Sequence, residues 1–211
     1  MTEHEAPRSR AVDFEGLRIE YDDRVLEPRP WTAAQSRWAA DLMRTAPPGP
    51  VLELCSGAGH IGLLAVTLAP RDLVCVDADP TACAYLRRNA AAAGVAVDVR
   101  AGRMDAVLDE TEEFAVVIAD PPWVPSDEVS TFPEDPVTAI DGGSDGLDLV
   151  RSCLDVMERH LMVGGSAVLQ TGPGQAERTR TLVAAYDELV FVSVRELERG
   201  ALVRIDRAAP L

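Results

Sequence analysis

Apolar and polar positions alternate near the start of the chain. In residues 14–27, FEGLRIEYDDRVLE, Leu17, Ile19 and Tyr21 share one parity and Val25 and Leu26 resume after Asp22-Asp23. That pattern predicts a β-hairpin turning at the two aspartates. Over residues 32–44, TAAQSRWAADLMR, the spacing changes to Ala34, Trp38 and Leu42, a helical stripe after Pro28-Arg29-Pro30. Pro47-Pro48-Gly49-Pro50 then breaks the chain.

Beyond that break the period switches repeatedly between strand and helix. Strands are predicted at Val51–Leu54, Leu73–Val76, Val95–Val99, Phe114–Ala119, Val163–Thr171, Val190–Arg195 and Ala201–Ile205. Helices are predicted at Ile61–Leu68, Pro80–Ala93, 147–161 and Gln175–Tyr186. Asp79 is a candidate N-cap and Gly94 a candidate stop for the second of these. Residues 121–146, rich in Pro and Gly, read as a loop. Regular β-α alternation of this kind argues for a doubly wound, mostly parallel sheet. Residues 1–12 are polar and read as a disordered tail, and 13–211 as one domain. Within it, residues 14–48 form an N-terminal hairpin and helix, and residues 50–211 the core.

Composition narrows the chemistry. Twenty basic residues against thirty-five acidic ones give a net charge of −15. That balance disfavours a nucleic-acid partner, whose phosphates are usually met by a basic face. All the basic residues are arginine, which excludes lysine Schiff bases and a P-loop lysine. The four cysteines contain no C-x-x-C and the three histidines are dispersed, so no metal site is expected. No apolar run approaches the ~20 residues that span a membrane. The first residues lack the apolar core of a signal peptide, so a cytoplasmic location and no membrane partner are expected.

The segment VLELCSGAGHIG runs strand, glycine loop, helix. Gly57, Gly59 and Gly62 satisfy G-x-G-x-x-G, and Asp77 closes the next strand twenty residues after Gly57. Both features also fit a dinucleotide oxidoreductase, in which the acid takes the ribose hydroxyls. Glu53, at the end of the strand, separates the readings. A diphosphate at this helix start would be repelled by it. S-adenosylmethionine (SAM) carries an ammonium and a sulfonium, which a carboxylate favours. His60 reads as a first-turn helical residue without assigned chemistry.

The segment FAVVIADPPWVP is the second candidate site. An apolar strand ends at Asp120-Pro121-Pro122-Trp123, where open α/β sheets bind ligands. Asp120 and the Pro121 carbonyl can accept hydrogen bonds from an NH2 group whose lone pair is conjugated. That aligns a poor nucleophile and stabilises the charge that grows on it. Pro122 stiffens the turn, and Trp123 offers a flat face to a planar acceptor.

Together these residues resemble the glutamine N5-methyltransferases that modify the Gly-Gly-Gln loop of peptide-chain release factors. The likeness runs from about Phe14 to the C-terminus. It includes Pro28-Arg29-Pro30-Trp31-Thr32, ELCSGAG, VDADP, DPPW and, most specific to the family, AIDGGSDGLD at residues 139–148. The resemblance implies a class I, Rossmann-like methyltransferase fold: a seven-stranded, mostly parallel sheet with one antiparallel strand and helices on both faces. It implies SAM contacts at Thr32, Glu53, Cys55 through its backbone, Gly57, Gly59, Asp77 and Asp120, with adenine at Arg103 and Met104.

Three departures stand out. Arg103 replaces the family's usual acid, unless Asp105 substitutes; Asp120 replaces its usual asparagine; and the N-terminal helical domain of the bacterial enzymes is missing. The reading is therefore a SAM-dependent N-methyltransferase, acting as a monomer on a protein glutamine. An exocyclic amine of RNA or DNA and a small metabolite are the alternatives, and a nucleotide-binding oxidoreductase is the rival of another class.

Overall fold

A computed structural model describes residues 9–209. It opens with a two-stranded hairpin, β1 (Arg10–Phe14) and β2 (Leu17–Tyr21), followed by α1 (Ala33–Met43). The remaining strands are β3 (Val51–Leu54), β4 (Leu73–Asp77), β5 (Val97–Ala101), β6 (Phe114–Ala119), β7 (Leu161–Thr171), β8 (Leu189–Leu197) and β9 (Gly200–Arg207). Between them lie α2 (His60–Leu68), α3 (Pro80–Ala93), the single turn α4 (Val137–Ile140), α5 (Asp148–His160) and α6 (Ala176–Val183).

The large sheet has seven strands in the order β5-β4-β3-β6-β7-β9-β8. Neighbours from β5 through to β7 pair in parallel, and β9 runs antiparallel to both β7 and β8. This is the class I methyltransferase arrangement that the resemblance implied. The chain moves outward from β3 through β4 to β5, then returns to the other side of β3 as β6. Ligand crevices form at such a reversal, beyond the carboxyl ends of the strands. Leu54 pairs with both Val76 and Ala119, so the residues that follow β3, β4 and β6 leave the sheet together.

Two apolar layers hold the sheet. Trp38, Leu63 and Leu86 from α1, α2 and α3 cover one face with Phe14 and Ile19 of the hairpin, and Leu154 and Met157 of α5 cover the other. β3 and β6 are buried along their whole length, as central parallel strands must be.

The hairpin differs from expectation. Its turn is Glu15-Gly16, with both residues at positive φ (53° and 88°), the two-residue geometry that suits twisted strands. Asp22-Asp23 instead leads out of it. That pair does form a turn, with Val25 N–H donating to Asp22 C=O at 3.0 Å, and the buried Asp22 side chain accepts from Arg24 N–H and Tyr85 Oη–H. Residues 10–12 belong to β1 rather than to a disordered tail, and residues 1–8 lie outside the described residues. The hairpin is fastened by Asn89 of α3, which exchanges hydrogen bonds with Glu20 N–H and Glu20 C=O and also donates to Ala58 C=O in the glycine loop.

β5 begins two residues later than predicted. Val95 N–H still bonds Ala90 C=O and Gly94 N–H bonds Ala91 C=O, a helix-ending pair with Gly94 at φ 68°. Among the described residues no helix is long and apolar enough to cross a membrane.

Candidate active site

A cavity of about 800 Å³ opens at the carboxyl ends of β3, β4 and β6. The glycine loop supplies Cys55, Ser56 and Gly57, the end of β4 supplies Asp77, and the end of β6 supplies Asp120. Gly102, Arg103 and Met104 after β5 close one side of it. Ala139, which opens the 139–148 segment, lines it, as do three stretches that sequence reasoning did not single out as site residues: Arg24–Leu26 after the hairpin, Thr138 of α4, and Leu149 and Ser152 of α5. They come from distant parts of the chain and carry no local motif.

Asp77 is held by the glycine loop. Gly57 N–H donates to Oδ2 at 2.7 Å and Asp79 N–H to Oδ1 at 2.8 Å. Each oxygen keeps a lone pair, and the group borders the cavity. Burial raises its pKa and the two N–H donors lower it, burial being the larger effect. Gly57, at φ 52°, has open space where a Cβ would stand, so the loop backbone is exposed to a ligand there.

Glu53 is placed differently from expectation. It is 2% exposed and is not a lining residue. Its Oε1 accepts Gly62 N–H at 2.9 Å, and Cys75 Sγ–H donates to Oε2. Burial pushes its pKa up to about 7; the two donors lower it, while Asp120 and Asp77 raise it further. Gly62 therefore serves the protein interior, since a Cβ there would overlap Glu53 Oε2. Gly59 likewise faces Leu86 of α3 and not the cavity.

Asp120 borders the cavity, and burial pushes its pKa up to about 7 with no hydrogen bond from the described residues offsetting it. A desolvated carboxylate without a protein donor is poised to take one from a ligand. Pro122 lines the cavity beside it, whereas Pro121 is buried behind. Trp123 departs from expectation. Its indole lies against Gly172, where a Cβ would come within 2.5 Å of Cε3, and it is outside the lining. The indole thus packs against the end of β7 while remaining partly exposed.

The segment 139–148 clamps this loop. Val124 N–H bonds Ile140 C=O at 2.9 Å and Gly142 N–H bonds Val124 C=O at 2.8 Å. Gly142 lies so close that a Cβ would meet Pro122 C=O at 2.8 Å. Asp145 anchors the segment through Leu147 N–H, Arg151 and Arg178. Its glycines thus have a packing reason for being where they are.

Two expected contacts are indirect. Thr32 is buried outside the lining, with its hydroxyl donating to Arg29 C=O at 2.7 Å and lying 3.2 Å from His60 Nε2. Arg103 turns its guanidinium to Asp105, at 3.0 and 2.8 Å, with its side chain 79% exposed. Met104 borders the cavity, close to the Cys153 thiol. Among the described residues no group of His, Cys, Asp and Glu is placed to hold a metal ion.

Residues 35–133 match the family model described as the methyltransferase small domain. The chain has the class I methyltransferase fold. It is 33% identical over 175 residues to the release factor glutamine methyltransferase of Gloeobacter violaceus, covering 80% of this chain and 61% of that one. It is 29% identical over 183 residues to the ribosomal protein uL3 glutamine methyltransferase of Burkholderia pseudomallei, covering 80% and 60%. The chain thus spans about three-fifths of those relatives' length. Its fold is that of the ribosomal protein L11 methylase of Lactobacillus delbrueckii, with a TM-score of 0.67, 13% identity, and coverage of 89% and 84%.

Proposed function

We propose that the domain transfers a methyl group from SAM to a planar nitrogen, with a protein glutamine side chain as the leading acceptor. The observation that carries this reading is the shared cavity of Asp77 and Asp120: one acid with lone pairs left for hydroxyls, one unpaired acid beside it.

The strand order supports an order of subsites. Adenine lies against the Arg103–Met104 backbone after β5, ribose on Asp77 after β4, the amino-acid end along the loop after β3, and the acceptor nitrogen at Asp120 after β6. When bound, SAM supplies an electrophilic methyl on a sulfonium. Asp120 accepts the acceptor's N–H, which orients the lone pair and stabilises the growing positive charge. With its pKa near 7, Asp120 can then hold the proton that leaves the methylated nitrogen and pass it to water.

Charge supports an uncharged acceptor over a phosphate-bearing one. Asp77, Asp79, Asp105, Asp120, Asp141 and Asp148 all line the cavity. The two lining arginines are already paired, Arg24 with Asp22 and Arg103 with Asp105. The glutamine assignment rests on the names of the relatives. Incubation with methyl-labelled SAM and separate protein, RNA, DNA and metabolite fractions tests it. Label on a glutamine of a protein is expected; label confined to nucleic acid or metabolite overturns the acceptor, and no label overturns the activity.

A further inference from the structure

The glycine loop carries two polar atoms that the site described so far does not use. His60 Nδ1 and Ser56 Oγ are both buried without a hydrogen-bond partner, and both residues line the cavity. Leaving such atoms unpaired costs on the order of 1–3 kcal/mol each, so a ligand that satisfies them has affinity to gain.

The tautomer of His60 follows from its neighbours. Thr32 donates its one hydroxyl proton to Arg29 C=O at 2.7 Å, so its Oγ1 offers only lone pairs to His60 Nε2, 3.2 Å away. That arrangement selects the tautomer with the ring proton on Nε2, which leaves Nδ1 as an acceptor. The ring is also fixed in orientation, edge-on to Phe14 with centroids 4.8 Å apart at 88°. An acceptor in this position recognises a donor. On the subsite order above, the part of SAM beside the loop after β3 is its amino-acid end, whose ammonium offers three donors. Glu53 is enclosed by Gly62 and Cys75 and does not line the cavity to meet it.

We propose that His60 binds the cofactor's α-ammonium through Nδ1, that Ser56 Oγ donates to the adjacent carboxylate, and that Thr32 is the positioning residue that holds the His60 tautomer. Burial keeps the imidazole neutral, pushing its pKa down to about 3, so it can accept across the physiological range. Thr32 then acts on the cofactor through another side chain, which accounts for its place behind the cavity wall. This inference rests on the methyltransferase reading above.

Calorimetry with three nucleosides tests it: SAM, S-adenosylhomocysteine, and 5′-methylthioadenosine, which keeps adenine and ribose but has no amino-acid end. His60→Phe retains the ring against Phe14 and removes the nitrogens. It is expected to weaken SAM and S-adenosylhomocysteine on the order of 10–100-fold and to leave methylthioadenosine within about two-fold, the scale of one hydrogen bond to a charged group. Thr32→Val, which leaves His60 in place, should show a smaller loss of the same selectivity, and Thr32→Ser should restore it. Equal weakening of all three nucleosides makes His60 merely structural and overturns the proposal, as does no change in any. Should His60→Phe not fold, the Thr32 pair decides: no selective loss in Thr32→Val overturns it. Wild-type protein that binds none of the three overturns the methyltransferase reading itself, and this inference with it.

Discussion

Glu53 and Gly62 touch across the turn from β3 to α2, with Oε1 accepting the Gly62 N–H at 2.9 Å. Two parts of the motif that look like separate cofactor contacts are therefore one internal contact. The acid at the strand end needs a residue without a side chain one helical turn away, and it satisfies one of the helix's free N–H groups in return. The glycine that borders the cavity is Gly57, where a Cβ would meet nothing within 4 Å.

Gly62→Ala should destabilise the fold by about 1–3 kcal/mol, the usual cost of overfilling a packed interior. For a chain of this size that is roughly 2–4 °C in Tm per kcal/mol. Thermal unfolding of the variant checks it. An unchanged Tm would mean that Glu53 can move aside, and that its enclosed placement does not constrain this position.

Stability should fall as pH rises toward 8. Burial holds both Glu53 and Asp120 near pKa 7, above their ordinary values of 4.5 and 3.8. Between those values and 7 the folded state binds more protons than the unfolded chain, so the slope of stability with pH is negative. Asp120→Asn removes one of these groups. Its Tm should exceed the wild type's at pH 8, with the gain shrinking as pH falls through 7 and vanishing near 4. A gain that is the same at pH 4 and pH 8 would show that ionisation of Asp120 is not its source.

Asp120 should matter most during transfer. Asp120→Ala is expected to lower the single-turnover rate on the order of 10²–10³, with cofactor affinity changed much less. Asp120→Asn keeps an oxygen acceptor without the charge. With a glutamine acceptor it should retain substantial activity; with an amine that depends on the negative charge it should fall towards the alanine level. Wild-type rates in both variants would remove Asp120 from the reaction.

Arg103→Ala should bind SAM within about two-fold of wild type. The guanidinium is directed to Asp105 and the side chain is 79% exposed, where water screens the pair and little depends on it. On the proposed order of subsites, the backbone at this position is what meets the adenine. A ten-fold loss of affinity in calorimetry, with the fold intact by circular dichroism, would show that the side chain itself contributes.

Much of this protein is legible in order along the chain. The bounds of β3, α3 and β6 follow from runs of apolar residues between Pro, Gly and Asp punctuation, and Asp79 caps α3 by accepting Thr81 N–H as its type suggests. Local chemistry also locates Asp77 and Asp120, because each ends a buried strand and a strand end has one side to face. The class of fold follows from the alternation of those elements, and the single antiparallel strand from the family resemblance.

What the side chains do once placed depends on residues far away in sequence, and only the tertiary structure decided it. The hairpin turns at Glu15-Gly16, and Asp22 is tied instead to Tyr85, sixty-three positions away. Trp123 lies against Gly172, forty-nine positions later, and outside the cavity lining. Thr32 meets His60, twenty-eight positions away, and does not line the cavity. A hydrogen bond or an aromatic contact has no sequence period. Its energy is realised only when folding brings both partners together and removes the water that would otherwise satisfy them. Periodicity therefore determines which residues reach the carboxyl edge of this sheet, and long-range contacts determine which of them still have an atom free to bind.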